Sequence, residues 1–348
     1  MLKKKIIFIY PKLYTFIHTE IKLLSDEFDL ISSTQNWERK ILLPFNLIRQ
    51  VVFLLINIKK VDTILISFGG YWSFFPALFG NLLGKKVAIV VHGTDCVAFP
   101  EIQYGNLRSF LLRFSIKKSL QWASIILPVS ESLVYTENSY FTNQILKFGY
   151  MHHLKSIITP YKVIPNGIII NDWKRNTTIP KEAKSFITVM TAGKMHIKGG
   201  DLIIDIANKF PDYIFYFAGI NSLKGVKIPK NIVCLGFLSS LELNRWYSKT
   251  QFYIQISNTE GFGVAVCEAM LCECVPIVSN VNYLPTIVAE TGFVLKKRSI
   301  ELLEMLINKA LTADLEQLGK EARKRIIENF SVENRKALLL NELKNKEC

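Results

Sequence analysis

Short runs of β-branched and aromatic residues, each followed by a longer amphipathic segment, recur along this chain and constrain its fold more than any other feature. Residues 5–9 read as a strand and 19–27 as a helix; 64–67 and 86–91 are strands, 107–122 a helix and 125–129 a strand. The series restarts with strands at 187–191, 214–218, 232–234, 252–256 and 275–278, interleaved with helices at 201–209, 241–248 and around Glu268. Alternation of this kind predicts parallel sheets joined by crossover helices. Two separate series predict an α/β protein of two doubly wound domains, with ligands at the carboxyl ends of the strands. A length of 348 residues also asks for two domains. The Pro165-Asn166-Gly167 break sets the expected limits at 1–165 and 166–330, followed by a C-terminal helix at 331–348 that packs back on the first domain.

Composition closes off several classes. With 49% hydrophobic and 21% charged residues the chain can bury real cores, which excludes a disordered or fibrous protein. Six Cys, five of them in apolar contexts, read as reduced thiols rather than a disulfide scaffold, and predict a cytoplasmic protein. The apolar run after Lys3-Lys4-Lys5 stops at Pro11, so it reads as a first strand and not a signal peptide. Residues 63–84 carry no charge over a length that could span a bilayer, but Gly69-Gly70, Pro76 and Gly80 break them into a strand, a loop and a helix at 76–83. Residues 41–58, also apolar, read either as a buried helix or as one whose Phe45, Leu47 and Phe53 lie outward on a membrane. Residues 1–165 hold 19 Lys and Arg against 10 Asp and Glu, a net of +9. That excess predicts anionic partners, and no nucleic-acid-binding signature accompanies it.

The chemistry is narrowed by what is missing. The turn after the first strand, Tyr10-Pro11-Lys12, lacks the Gly-x-Gly-x-x-Gly of a dinucleotide site. There is no P-loop and no Gly-x-Ser-x-Gly elbow. Cys272-x-Cys274 has no second pair at zinc spacing, and no Asp-x-Asp exists to hold a cation on a diphosphate. No metal and no cofactor is expected. Any phosphate must be held by backbone amides and basic side chains.

Two clusters can do this. In Glu260-Gly261-Phe262-Gly263 leading to Glu268, the glycines let a ligand approach the backbone and the following helix presents free N–H groups to a diphosphate. Glu268, further along that helix, suits the two hydroxyls of a ribose, and Glu260 a sugar hydroxyl. In Gly193-Lys194…Lys198-Gly199, two cations four residues apart sit at another carboxyl strand end, as a departing diphosphate requires without metal. Solvated lysines and exposed glutamates in Gly-containing turns are the structural alternative for both.

Glu260-x7-Glu268 with Gly-Phe-Gly between, Gly193-Lys194…Lys198-Gly199, Ile164-Pro165-Asn166-Gly167-Ile168, Pro128-Val129-Ser130-Glu131 and His92-Gly93-Thr94-Asp95 together resemble the family-4 glycosyltransferases, the glycosyl transferases group 1. The resemblance implies the GT-B fold: two Rossmann-like domains facing across a cleft, the second binding a nucleotide-sugar donor and the first an acceptor. It implies retaining transfer of a sugar, UDP- or GDP-linked, to a glycan or lipid-linked acceptor in surface polysaccharide assembly. His92, Glu260 and Lys198 would be catalytic. Gly193, Lys194, Lys198, Glu260, Phe262 and Gly263 would hold the donor diphosphate and sugar, Glu268 the ribose, and Leu235 and Phe237 the base. Lys194 stands where the family usually has Arg, Ile169 and Thr286 replace usual acidic residues, and Asn282-Tyr283 occupies a stretch that is commonly Gly-rich. A GT-B epimerase and a nucleotide-sugar-binding protein without catalysis remain alternatives. The basic, apolar first domain further predicts contact with an anionic membrane, at the inner face of the plasma membrane.

Overall fold

The computed structural model describes residues 3–223 and 228–344, with the backbone alone at Lys40. The chain divides into two compact α/β units. The first comprises the described residues of 1–136, 147–166 and 335–348; the second comprises 137–146 and 167–334.

The first unit is built on a five-stranded sheet, all of whose pairings are parallel. Across the sheet the strands run Phe28–Ser33, Lys4–Ile9, Thr63–Ser67, Lys86–Val91 and Ile125–Pro128. The central strand Thr63–Ser67 is buried throughout, as an unbroken apolar run must be when helices cover both faces. Helices Thr15–Ser25, Leu43–Asn57, Tyr71–Leu82 and Phe110–Trp122 supply that cover. The chain reverses direction across the sheet between Lys4–Ile9 and Thr63–Ser67, and His92 follows the end of the next strand.

The second unit is a six-stranded parallel sheet in the order Ile232–Gly236, Ile214–Ala218, Glu182–Val189, Thr250–Gln255, Val275–Ser279, Phe293–Leu295. Numbered along the chain this is 3-2-1-4-5-6, the dinucleotide-fold order, with its switch point between Glu182–Val189 and Thr250–Gln255. Register lines up Phe186 with Phe215 and Phe252, whose rings stack at 4.8 and 4.9 Å on one face of the sheet. Each unit is therefore Rossmann-like, as its strand–helix series implies.

Three expectations need correction. Residues 137–146, placed in the first domain by sequence, pack within the second unit: Asn138 donates to the Asn280 carbonyl at 2.8 Å, and the Tyr140 carbonyl accepts from Arg298 N–H at 2.9 Å. Of the expected C-terminal helix, Val332–Lys344 is helical, residues 335–344 belong to the first unit, and 345–348 lie outside the described residues. There Arg335, 5% exposed, donates to the Ile164 and Pro165 carbonyls and pairs with buried Glu20 at 3.0 Å. The helix expected at 76–83 begins at Tyr71, with Pro76 inside it. The apolar helix Leu43–Asn57 is buried on one face only. It buries Leu54 together with Asn46 and Gln50, and exposes Phe45, Ile48, Val52, Leu55 and Ile56. Among the described residues no helix is long and apolar enough to cross a membrane.

Candidate active site

The switch point of the second sheet gathers a hydrogen-bonded polar cluster. After strand Glu182–Val189 the chain forms a tight turn, then reaches Lys198 and Gly199 before helix Gly200–Lys209. Gly199 has φ +73°, and a Cβ there would lie 2.2 Å from the Ile256 carbonyl oxygen. Only glycine lets this loop cross the neighbouring strand end so closely. Asn258 fastens the two loops, its N–H donating to the Ile197 carbonyl at 2.8 Å and its side-chain amide to the His196 carbonyl at 2.9 Å.

That crossing aims Lys198 at Glu260, and the two form an ion pair with side chains 22% and 16% exposed. The same carboxylate oxygen accepts from Gln255 Nε2 at 2.6 Å, while Gln255 Oε1 accepts from the Tyr253 hydroxyl at 2.7 Å. Asn282 Oδ1 accepts from the Glu260 N–H at 2.9 Å. Asn282 holds φ +48°, the left-handed conformation that glycine adopts freely and asparagine tolerates, which explains this departure from a Gly-rich stretch. The carboxylate of Glu260 is thus fixed by a cation and an amide, in a charge-assisted geometry.

Helix Val264–Leu271 begins after Gly263, whose φ is +122°. Phe262 is core: its ring packs against Tyr283 at 5.6 Å and Phe330 at 5.7 Å, leaving only backbone for a ligand. Glu268 retains a partly accessible side chain yet has no hydrogen-bond or ion-pair partner among the described residues. The protein packed around its carboxyl removes solvation from the charged form and pushes its pKa up to about 8.

The other expected residues stand further apart. Gly193 and Lys194 are exposed in the turn Ala192–Lys194, with open space around Gly193, and the Lys194 side chain has no partner among the described residues. Leu235 ends strand Ile232–Gly236 half-buried, and Phe237 after it is 90% exposed. Lys194 is tied to Lys198 through the backbone alone, its carbonyl accepting from the Lys198 N–H at 2.9 Å. Arg298, absent from the sequence expectations, pairs with Asp201 and donates to Asn258 Oδ1 at 3.1 Å, bracing the loops. Its signal was one more cation beyond the last strand, which nothing in its spacing singled out.

In the first unit His92 is buried, its ring 4.9 Å from Phe16 and 4.3 Å from Phe68. Its Nε2 lies 2.8 Å from Ser67 Oγ, and its buried Nδ1 has no partner among the described residues. Burial holds its pKa well below 6.5, with the Arg335 charge adding to the effect, so the ring is neutral at neutral pH. Asp95 builds the turn: one oxygen accepts from the N–H groups of His92 and Gly93, the other from Gly69 N–H at 2.9 Å. Among the described residues no three His, Cys, Asp or Glu side chains converge as metal ligands do.

Residues 169–330, the stretch that contains this cluster, match the family model of the glycosyl transferases group 1. The chain is a glycosyltransferase of GT-B fold. Over 304 residues it is 24% identical to Protein CapJ of Staphylococcus aureus, covering 82% of this chain and 73% of that one. An 80-residue stretch is 30% identical to O-antigen chain mannosyltransferase B of Escherichia coli, 23% of this chain and 21% of that protein. In structure it is similar to Anabaena HepE, solved with UDP and glucose, with a TM-score of 0.72, 14% identity and coverage of 98% of this chain and all of that one.

Proposed function

We propose that this glycosyltransferase moves a sugar, with retention as in the family-4 enzymes, from a UDP- or GDP-sugar to a glycan or lipid-linked acceptor in surface polysaccharide assembly. The observation that carries the reading is the braced Lys198–Glu260 pair at the sheet's switch point, followed along the chain by Glu268, whose carboxyl has no partner among the described residues. In the reaction the bond from the anomeric carbon to the diphosphate breaks, the acceptor hydroxyl oxygen forms the new glycosidic bond, and its proton passes to the departing diphosphate. Negative charge collects on the diphosphate. Lys198 and Lys194, with the N–H groups opening helix Val264–Leu271, would take up that charge without a metal.

Glu260 and the backbone at Phe262 and Gly263 would hold the sugar, and Glu268 would accept from the ribose hydroxyls. Leu235 and Phe237 would border the base. His92, neutral and with Nδ1 unbonded, would meet a sugar hydroxyl. The likeness to HepE, a protein solved with UDP and glucose, favours a uridine donor; the mannosyltransferase relative favours a polysaccharide product. We place the protein in the cytoplasm, against the inner face of the plasma membrane. The test is release of nucleoside diphosphate from a panel of UDP- and GDP-sugars, with and without acceptor glycans. Transfer that needs both substrates supports the reading. Conversion of the donor alone points instead to an epimerase, and donor binding without turnover to a binding protein.

A further inference from the structure

A helix lying on a sheet normally turns its apolar stripe inward. Leu43–Asn57 does so only in part: it buries Leu54, but Asn46 and Gln50 share that inward face. Asn46, 4% exposed, donates to the Asn36 carbonyl at 2.8 Å; Gln50, 1% exposed, donates to the Trp72 carbonyl at 2.8 Å. Those two bonds fix the rotation of the helix about its axis. The outward face then shows Ile41, Phe45, Ile48, Val52, Leu55 and Ile56, each between 50% and 88% exposed. Their spacing of alternately four and three residues, closing with a neighbour, makes one continuous stripe.

Arg39, Arg49, Lys59 and Lys60 are exposed along and at both ends of the stripe, and no Asp or Glu occurs from Arg39 to Val61. Arg39, Arg49 and Lys59 make no ion pair among the described residues. Helix Tyr71–Leu82 packs beside this helix and Phe110–Trp122 beside that one; the last adds exposed Phe110, Leu111 and Phe114 with exposed Arg108 and Arg113.

We infer that helix Leu43–Asn57 lies in the interface of an anionic lipid bilayer, its apolar stripe among the acyl chains and its flanking cations on the lipid phosphates. Charge decides between lipid and a second copy of this chain. Two copies joined through the stripe would set cations against cations, since the bordering carboxylates Glu38 and Asp62 already pair with Lys12 and Lys85. Anionic headgroups supply the missing charge, and the narrow apolar stripe with a cationic rim is what an interfacial helix presents. The inference rests on the proposed lipid-linked acceptor for its purpose, since an enzyme seated on the bilayer meets such an acceptor without leaving it.

The test is co-sedimentation of the full chain with vesicles of phosphatidylcholine, alone or mixed with phosphatidylglycerol. The parent should pellet with the mixed vesicles and fade as salt rises to about 1 M, where screening acts within ~3 Å. The variant Phe45→Ser/Ile48→Ser/Leu55→Ser should bind at least about 100-fold more weakly at every salt concentration. Arg49→Glu/Lys59→Glu/Lys60→Glu should lose roughly 100-fold at low salt, at about fivefold per cation removed. Phe45→Trp in the otherwise intact chain should be quenched by brominated lipid, which keeps the test open if a triple variant misfolds. Absence of parental binding at low salt, equal binding by the serine variant, or an unquenched Trp each overturns the inference. A dimer that the serine variant dissociates, without vesicle binding, assigns the stripe to a second copy. Transfer to a water-soluble acceptor should be the same for parent and variants. If the parent fails there while still pelleting, the sugar-transfer reading fails and the docking surface stands.

Discussion

Replacing Glu268 by Gln exchanges a titrating carboxyl for an amide of the same shape at the proposed ribose site. In the empty protein burial raises this carboxyl to about 8, so at pH 7 only about a tenth of it is ionised. Ribose hydroxyls donate, and donors favour the charged form. Binding a nucleoside diphosphate should therefore expel about nine-tenths of a proton at pH 7, and affinity should rise about ninefold from pH 6 to 7 and about fivefold from pH 7 to 8. In Glu268→Gln both effects vanish, and above pH 8 the loss of charge-assisted bonds leaves affinity about 10- to 100-fold below the parent. Calorimetry in two buffers of different ionisation enthalpy counts the protons. Titration of the ligand itself is common to both proteins, so the difference between them isolates Glu268. Equal proton release from parent and variant would remove Glu268 from the ribose site. Stability runs the opposite way with pH. The unfolded carboxyl ionises near 4.5 and the folded one near 8, so the contribution is present in full below about 4.5 and lost as pH rises toward 8. At a ceiling of about 1.4 kcal/mol per pH unit, the loss amounts to a few kcal/mol, and the Gln variant should melt higher than the parent at pH 8 but not at pH 4.5.

Lys198→Ala should lower kcat by roughly 100-fold while weakening donor affinity less than about tenfold, because the charge it meets grows in the transition state; equal losses in both would make it a binding residue only. Activity should survive EDTA, and a loss restored by added divalent metal would contradict metal-free leaving-group stabilisation. His92→Ala should impair transfer and leave nucleoside diphosphate affinity unchanged; an unchanged transfer rate would return His92 to a packing role. Gln50→Leu should cost about 1–3 kcal/mol in urea unfolding by stranding the Trp72 carbonyl, and Pro76→Ala added to it should restore a backbone donor and recover most of that; additive losses would refute the pairing.

Central strands were legible and edges were not. Lys86–Val91 and Val275–Ser279 are covered on both faces, so their residues form unbroken apolar runs. Phe28–Ser33 escaped notice because it is an edge strand, half of it polar and partly exposed, which acquires its extended form from pairing with Lys4–Ile9. Glu182–Val189 starts five residues before its expected start: its polar beginning is a strand only through register with Thr250. At the site, glycines and acids in sequence marked Lys198 and Glu260, whose partnership depends on Gly199 passing Ile256. The residues that hold Glu260 in place, Gln255 and Asn282, carried fainter marks. One was a lone amide in an apolar strand, the other an Asn where a chain turns left-handed.

Helix Leu43–Asn57 shows why a hydropathy pattern alone points in the wrong direction. The pattern reveals a stripe, and packing statistics turn stripes inward. Here the deciding group lies on another helix. Pro76 has no N–H, so the Trp72 carbonyl one turn earlier loses its helical donor inside the fold. A buried carbonyl without a partner costs more than an exposed methyl group does. Gln50 supplies the missing donor and can reach it only from the inward face. Asn46, one turn before it, is drawn to the same side and bonds the Asn36 carbonyl. With both amides committed inward, Phe45, Ile48, Val52 and Leu55 have nowhere to go but out. The apolar face of this unit therefore follows from one proline thirty residues away along the chain, by way of the hydrogen bond that proline removes.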